Sequence, residues 1–337
     1  MSDPGRDSLI EQFLAANGFA LSEATPLAQD ASFRRYLRLR GGAVLMDAPP
    51  PEDVRPFLRI ATHLTGIGLA VPRIVAADEA NGLIIEEDLG DDLYSAILTE
   101  ANAESLFDAA IDALVALHRA AAPSGVPAWG KPAMLEAALG TLFDWWWPAM
   151  HGASAPQDVR AEVTKALVAT LDHVDNGPRS LVHRDFFAGN LIWLPDRTGP
   201  RRAGIIDFQS ASVGHPAYDL VSLLQDARRD IPASLEEHAV ARYLAARPEF
   251  DPATFRDAYA ACAAQRHLRV ACQWVRLAKR DFRPQYLAFG PRTWHLLTRA
   301  LTHPAVAPLA AALDRFVPEH QRHNPPGLIP AEVEARG

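Results

Sequence analysis

The stretch "LVHRDFFAGNLIW", residues 181–193, places His, Arg, Asp and Asn inside a pattern that otherwise predicts a buried strand. Asp185 precedes Asn190 by five residues, and Asp207 ends a second apolar run in "IIDFQ". A single Asp or Asn after a strand is usually a turn former. The ordered set H-R-D-x-x-x-x-N followed by an apolar run and D-F matches a catalytic loop and a metal-binding aspartate. We therefore interpret the stretch as a site and not as an interrupted strand.

The residue types at these positions suit phosphoryl transfer from a nucleotide. That reaction needs a carboxylate that accepts the alcohol proton, and oxygen ligands that hold Mg²⁺ on the phosphates. We expect Asn190 and Asp207 to bind Mg²⁺ and Asp185 to act as the catalytic base. His183 is expected to brace the loop by hydrogen bonding.

Composition and charge limit the classes of protein to which this chain can belong. The 337 residues are 49% hydrophobic and 22% charged, which is typical of a globular protein. A net charge of −8 argues against a nucleic-acid binder, and no apolar run is long enough for a membrane span. Two cysteines and the lack of a secretory signal favour the cytoplasm. We expect a monomer.

The pattern of elements predicts an α+β fold. Short apolar runs in "SFRRYLRL", "AVLMDA" and "GLIIEEDL" predict strands, with one helix in residues 51–68. Further helices are predicted near residues 103–120, 134–147, 158–174, 217–228, 234–246, 252–279 and 291–302. We therefore expect a small N-terminal lobe in residues 1–88 and a large, mainly helical C-terminal lobe in residues 89–337.

The chain resembles the superfamily of aminoglycoside phosphotransferases and choline kinases, which are relatives of protein kinases. "LIIEEDLGD" is similar to the segment that connects the lobes, and "HRDFFAGN", "IIDFQ" and "AYDL" are similar to the catalytic core. The resemblance implies a two-lobed, protein-kinase-like fold with ATP and Mg²⁺ as cofactors. By the same resemblance, the backbone around Glu86 and Asp88 would bind adenine, and Asp219 would support the catalytic loop.

Other motifs resemble bacterial anomeric sugar kinases, which phosphorylate N-acetylmuramate and N-acetylglucosamine at carbon 1 in peptidoglycan recycling. The similar segments are "DASFRRYLRL", "MDAPPPED", "DFQSASVGHPAYDLVSLLQDA" and "LAKRDFRPQYLAFGPRTW". The implied substrate is a small amino sugar, and neither a nucleic acid nor a membrane is an expected partner.

Two departures from the kinase pattern concern the nucleotide phosphates. "AVLMDA" offers Met46 and Asp47 where a kinase-like enzyme would carry a lysine, and "DASFRRYLRL" is not a glycine-rich loop. We expect Ser32, Phe33, Arg34 and Arg35 of that loop to contact the nucleotide. An arginine fork can replace the lysine, and Arg35 or Arg38 is the expected replacement.

The sequence specifies the acceptor site less well than the catalytic and nucleotide sites. Eight basic residues and the single acid Asp281 lie between Arg266 and Arg299, a charge balance that would attract the carboxylate of muramate, unless these residues only face solvent. We expect Arg280 from this set, and Trp146 from "LFDWWWPAM", to contact substrate. Gln209 would either contact substrate or cap a turn.

Three other functions stay open at this level. The chain could phosphorylate an aminoglycoside, a choline-like amino alcohol or another metabolite. It could be a catalytically silent nucleotide-binding module, because the strand lysine is missing. It could also be a sugar-sensing interaction protein.

Overall fold

The computed structural model of the protein describes residues 4–27 and 34–328. The α-helices are α1 (Pro4–Ala16), α2 (Arg55–Gly66), α3 (Tyr94–Ile97), α4 (Ala103–Arg119), α5 (Lys131–Thr141), α6 (Trp147–His151), α7 (Gln157–Leu171), α8 (Ala217–Leu224), α9 (Ala233–Ala246), α10 (Pro252–Arg280), α11 (Gly290–Ala300) and α12 (Ala307–Phe316). The strands are β1 (Thr25–Pro26), β2 (Arg35–Leu39), β3 (Ala43–Asp47), β4 (Ile74–Asp78), β5 (Leu83–Glu87), β6 (Ala128–Trp129), β7 (Ser180–Val182), β8 (Leu191–Trp193), β9 (Ala203–Ile205) and β10 (Ser212–Gly214). The predicted helices are all present, whereas α1, β4 and α12 were not predicted.

The backbone divides into two compact units, each made of two chain segments. The first unit comprises residues Met1–Pro123 and Ala188–Ala211, and the second comprises Ser124–Phe187 and Ser212–Gly337. This division differs from the predicted boundary at residue 88, because residues 89–123 and 188–211 belong with the N-terminal strands.

Backbone hydrogen bonds explain why residues 188–211 belong to the first unit. The β8–β9 hairpin is joined to earlier parts of the chain by the Ile205 N–H, which donates to the Ala70 carbonyl at 2.8 Å. The Trp193 N–H likewise donates to the Asp92 carbonyl at 2.8 Å. A hairpin tied in this way cannot separate from the first unit without losing buried backbone hydrogen bonds.

The first unit is built on an antiparallel sheet of five strands in the order β1-β2-β3-β5-β4. Alternate side chains of a strand face opposite sides of the sheet. One face buries Leu45, Leu83 and Ile85 against Ile10 and Leu14 of α1. The residues between them, Met46 and Ile84 among others, therefore face the opposite side of the sheet.

The second unit is mainly helical and has α10 as its longest element. Asp251 caps α10 by accepting a hydrogen bond from the Thr254 N–H at 2.8 Å, and the helix continues for 29 residues to Arg280. A three-stranded sheet, β6-β10-β7, precedes α8, whose residues are all buried. A small antiparallel sheet in one unit and helices in the rest confirm the predicted α+β class.

The length and apolar character of the helices bear on whether one of them could span a membrane. Among the described residues, no single helix is both long and apolar enough. The segments Pro284–Ala300 and Pro304–Phe316 meet the criterion only as a pair, and they are bent by 102° at their junction.

A buried carboxylate joins α1 to the sheet of the first unit. Asp47 has no exposed surface and accepts hydrogen bonds from Arg6 Nε at 2.9 Å and Arg35 Nε at 2.7 Å. Arg6 itself is nearly buried, since only 10% of its side chain is exposed. The carboxylate at the end of β3 therefore neutralises cations on the α1 side of the sheet.

Replacing Asp47 with alanine should destabilise the protein strongly. The change leaves the Arg6 guanidinium buried beside no carboxylate, and removing one partner of a buried pair costs about 3 kcal/mol. Urea unfolding followed by circular dichroism measures the loss. The matched control is Asp53→Ala, which removes an exposed carboxylate that pairs with Arg55, and little change is expected. Equal losses in the two variants would contradict the importance assigned to burial at Asp47.

Candidate active site

One buried carboxylate holds the loop that follows β7. Asp219, in the first turn of α8, has no exposed surface and accepts hydrogen bonds from the N–H groups of His183 (2.6 Å) and Arg184 (2.8 Å). His183 Nδ1 accepts a hydrogen bond from the Asp185 N–H at 3.3 Å. Arg184 has a φ of 77°, a left-handed conformation that needs such support. These hydrogen bonds are the contacts expected of residues that brace the loop.

The Asp185 carboxylate lies among positive charges of the second unit. Arg266 Nη1 is 3.8 Å from Asp185 Oδ1, and 47% of the Asp185 side chain is exposed. Surrounding protein desolvates the carboxylate, which by itself would raise the pKa of Asp185, but the charges of Arg266 and Arg269 outweigh this effect. The net pKa lies below the ordinary value of 3.8, so Asp185 is ionised and able to accept a proton at neutral pH.

Asn190 and Asp207 are brought together in the first unit. Asn190 Nδ2 donates to Asp207 Oδ2 at 3.4 Å, and the Ile206 N–H donates to the Asn190 carbonyl at 3.1 Å. The two side chains offer an amide oxygen and a carboxylate, which are the hard oxygen donors that Mg²⁺ prefers. The residues therefore fit a magnesium ion.

The residues that follow Asp207 position its carboxylate. Phe208 is fully buried and stacks on Phe57 of α2, with 4.7 Å between ring centroids. Gln209 Nε2 donates to Asp207 Oδ1 at 2.7 Å. Asp207 has a φ of 61°, in the left-handed region that aspartate tolerates better than most residues. In this structure the Gln209 amide supports the neighbouring carboxylate.

A cluster of polar side chains lies on the face of the first unit's sheet opposite α1. Tyr36 forms hydrogen bonds with the Arg34 side chain and with Met46 Sδ, the second at 3.4 Å. Burial, with the negative charges of Glu86 and Asp207, raises the pKa of Tyr36 to about 12. Arg34 is only 6% exposed, and its charge acts on Glu86 as well. Arg34 Nε is also 3.5 Å from Glu52 Oε2. Arg34 is thus a cation close to the residues that surround Asp207, and it is partly balanced by Glu52.

The two arginines expected to replace the strand lysine are engaged elsewhere. Arg35 donates to Asp47 on the α1 side, as described above. Arg38 Nε donates to Asp88 Oδ2 at 2.6 Å, and Arg38 Nη2 donates to Asp91 Oδ1 at 2.7 Å. The sequence predicts Arg34 as one of the nucleotide contacts but not as the replacement for the strand lysine. Side chains alternate along β2, and the same alternation continued back to Arg34, which precedes the strand, could have distinguished Arg34 from Arg35.

The backbone around Glu86 and Asp88, which is expected to bind adenine, forms hydrogen bonds within the protein. The Asp88 N–H donates to the Gly42 carbonyl at 2.9 Å, so this amide is already used within the protein. Glu86 is paired on both edges of its strand, with β3 and with β4. Ser32 and Phe33 lie outside the described residues. Adenine binding through residues 86–88 and contacts from the loop stay predictions.

Two expected substrate contacts have surroundings that argue against them. Trp146 has no exposed surface, and its indole N–H donates to the His323 carbonyl at 3.0 Å. A fully buried indole offers no face to a sugar. Arg280 is paired with its neighbour Asp281, to which its Nε donates at 2.7 Å. Packing and a local ion pair therefore account for both residues in this structure.

Comparison with known proteins bears on the same motifs. Residues 23–258 match the model of the phosphotransferase enzyme family, which is more than half of the chain. The chain belongs to the phosphotransferase enzyme family. This phosphotransferase is similar to an N-acetylmuramate/N-acetylglucosamine kinase of Caulobacter vibrioides, with 36% identity over 94% of the chain and 98% of the relative. It is 34% identical to a Pseudomonas aeruginosa kinase of the same name, over 91% of the chain and 93% of the relative.

Solved structures support the fold of this phosphotransferase. A choline/ethanolamine kinase family protein from Mesorhizobium loti superposes with a TM-score of 0.65, over 92% of the chain and 99% of the neighbour, at 16% identity. At that identity the likeness concerns the fold alone. The predicted kinase-like fold is therefore confirmed, and so is the prediction that the protein is a phosphotransferase with an alcohol acceptor.

Glu86 should make the stability of the protein depend on pH. Burial raises the pKa of Glu86 from 4.5 to about 8, although Arg34 opposes the shift. The folded protein therefore retains a proton that the unfolded chain loses above pH 4.5, and stability falls as pH rises between these two values. Glu86→Gln removes this effect. The difference in free energy of unfolding between the variant and the wild type should therefore increase in favour of the variant, by up to about 1.4 kcal/mol for each pH unit.

Urea unfolding of both proteins between pH 5 and pH 9 measures the difference. We expect it to widen with rising pH and to level off above the pKa of Glu86. A difference that stays constant across this range would show that Glu86 does not titrate in this way.

Proposed function

We propose that this amino-sugar kinase transfers the γ-phosphate of ATP to the anomeric hydroxyl of N-acetylmuramate and of N-acetylglucosamine. Four relatives of that name are 31–36% identical to the chain, over 80–94% of its length. Both acceptors are sugars of peptidoglycan, so recycling of cell-wall sugars is the role that we infer. The observation that carries the chemistry is the ionised Asp185 on a loop held by Asp219.

Asp185 would accept the proton of the attacking hydroxyl. Its carboxylate is partly exposed and ionised, and the backbone before it is held by two hydrogen bonds to Asp219. A base positioned in this way orients the acceptor as well as deprotonating it. Because positive charges surround Asp185, the negative charge of the acceptor oxygen would also be stabilised.

Asn190 and Asp207 would hold Mg²⁺ on the nucleotide phosphates. Their side-chain oxygens suit that ion, and Gln209 and Phe208 keep the Asp207 carboxylate in place. When bound, the metal would neutralise the charge that develops on the transferred phosphate.

Arg34 would supply the positive charge that kinases usually obtain from a strand lysine. It lies on the same face of the sheet as Tyr36, whose hydroxyl feels the charge of Asp207. A planar guanidinium can bind two phosphate oxygens through two parallel N–H bonds, a fixed geometry that a lysine ammonium does not offer. A cation at this position answers the objection that the missing lysine makes the protein a silent nucleotide-binding module.

Charge near Asp185 favours sugars over cationic acceptors. Arg266 and Arg269 both act on the Asp185 carboxylate, and Arg276 lies further along the same helix. A polycationic aminoglycoside or a quaternary amine would be repelled by such a helix face. Neutral N-acetylglucosamine and anionic N-acetylmuramate meet no such penalty.

We expect the product to carry its phosphate on carbon 1. Purified protein incubated with ATP, Mg²⁺ and each amino sugar should yield the sugar 1-phosphate, which NMR of carbon 1 and phosphorus identifies. Asp185→Asn should lower kcat by about 10²- to 10⁴-fold while nucleotide affinity is largely retained, because the base is lost and the nucleotide residues are not.

The panel of acceptors should include kanamycin and choline as controls. Phosphate on another sugar carbon would refute the anomeric assignment, and faster turnover of either control would refute the substrate class. Binding of the sugars without any product would instead favour a sensing protein.

Arg34→Gln should raise the KM for ATP by about 10- to 100-fold, since a charge-assisted hydrogen bond to phosphate is lost. Arg34→Lys should recover part of the loss because it keeps the charge. The matched control is Arg40→Gln, which removes an exposed arginine paired with Glu23 in the same unit. An unchanged KM for ATP in Arg34→Gln would assign the phosphate contact to another residue.

A further inference from the structure

Helix α10 presents a row of long polar side chains along one face. Arg266, Arg269, Gln273 and Arg276 are separated by three, four and three residues, a spacing that puts side chains on one side of an α-helix. The helix is unbroken over these positions. The row begins beside Asp185 and leads away from it along the helix.

The first two arginines of the row have partners in the second unit. Arg266 Nη1 is 3.8 Å from Asp185 Oδ1, and Arg266 Nη2 donates to Ser222 Oγ at 2.7 Å. Arg269 interacts electrostatically with Asp185 and with the Tyr218 hydroxyl. These two side chains therefore belong to the surroundings of the proposed base.

Arg276 differs from its neighbours on the helix face. Its Nη1 donates to Gln273 Oε1 at 3.4 Å, and no carboxylate of the described residues lies within 4.0 Å of its guanidinium. The side chain is half-buried, and burial together with the charges of Arg280 and Arg269 lowers the pKa of Arg276, although the charge of Asp281 opposes the shift. A partly desolvated cation next to other cations is stabilised by an anion.

Three other arginines near this end of the second unit have acidic partners. Arg280 pairs with Asp281, Arg292 with Asp230, and Arg299 with Glu236, at 2.7, 2.8 and 3.0 Å. Their charges are compensated within the protein. Arg276 is therefore better suited than these three to receive an anion from outside.

The distance between Arg269 and Arg276 suits an acceptor that has a hydroxyl at one position and a carboxylate at another. Arg276 lies seven residues beyond Arg269, which corresponds to about 10 Å along the helix axis. N-acetylmuramate has its anomeric hydroxyl on carbon 1 and a lactyl ether, which carries a carboxylate, on carbon 3. With the hydroxyl at Asp185, the carboxylate would extend along the row of arginines.

We propose that Arg276 is the binding site for the acceptor carboxylate, with Arg269 between it and Asp185. The inference rests on the proposed function, because it takes the hydroxyl at Asp185 as the point of phosphate transfer. A guanidinium and a carboxylate form two parallel hydrogen bonds, which fixes the orientation of the sugar as well as adding affinity. Arg276 then determines how strongly the enzyme prefers N-acetylmuramate over N-acetylglucosamine, which has no carboxylate.

The experiment compares the two acceptors in one variant. Arg276→Gln should raise the KM for N-acetylmuramate by about 10- to 100-fold, as expected for a lost charge-assisted pair. The loss should be confined to the acceptor that carries the carboxylate, so turnover of N-acetylglucosamine also shows that the variant is folded. Arg276→Lys should restore part of the preference, because it keeps the charge and loses the fork.

Arg280→Gln is the matched control, since it removes an arginine of the same helix that is paired with Asp281. It should leave the ratio of the two KM values unchanged. If Arg280→Gln and Arg276→Gln change this ratio equally, or if Arg276→Gln raises the KM for ATP or for both sugars alike, the assignment of Arg276 is wrong.

Calorimetry separates this inference from the proposed function. Titration of N-acetylmuramate and N-acetylglucosamine into the wild type and into Arg276→Gln measures binding without turnover. Weaker binding of N-acetylmuramate, but not of N-acetylglucosamine, to Arg276→Gln would support the carboxylate site. This holds even if the wild type forms no phosphorylated product, a result that would refute the kinase reaction. Turnover of both sugars, with binding unaffected by Arg276→Gln, would refute the carboxylate site alone.

Discussion

The carboxylate of Asp219, which has no exposed surface, determines the conformation on which the chemistry of the second unit depends. It accepts the N–H groups of the two residues that precede Asp185, so the backbone leading to the proposed base is held by two charge-assisted hydrogen bonds. Without this acceptor, two buried or half-buried amides would lack a partner. The loop is therefore organised by the protein itself, before an acceptor or a nucleotide binds.

Positive charge is arranged differently in the two units. In the first unit, the Arg34 guanidinium lies near two carboxyl groups: that of Glu86, whose pKa is raised by burial, and that of Glu52, whose Oε2 is 3.5 Å from Arg34 Nε. In the second unit, arginines of α10 keep Asp185 ionised. Burial therefore decides the charge of Glu86, whereas neighbouring charges decide that of Asp185.

The sequence predicted the catalytic motif better than its surroundings. Asp185, Asn190 and Asp207 followed from one ordered motif, and Asp219 accepts hydrogen bonds from two backbone N–H groups of that motif. Arg34 could not be separated from Arg35 by composition, because the face that each occupies depends on how β2 pairs with β3. The tryptophans show the same limit, since only packing decides that Trp146 and Trp147 are buried and that Trp145 is partly exposed. The division between units was not predictable either, because it depends on hydrogen bonds between distant segments.

The left-handed backbone at Asp207 and Arg184 matters for how mutants of this protein are read. Aspartate and asparagine adopt that conformation at small cost because their side chains can form local hydrogen bonds. Alanine has no polar side chain that could offset the strain. Alanine at position 207 would remove the proposed metal ligand and at the same time favour a different backbone. Loss of activity in such a mutant would combine two causes, and at position 207 asparagine isolates the effect of the charge.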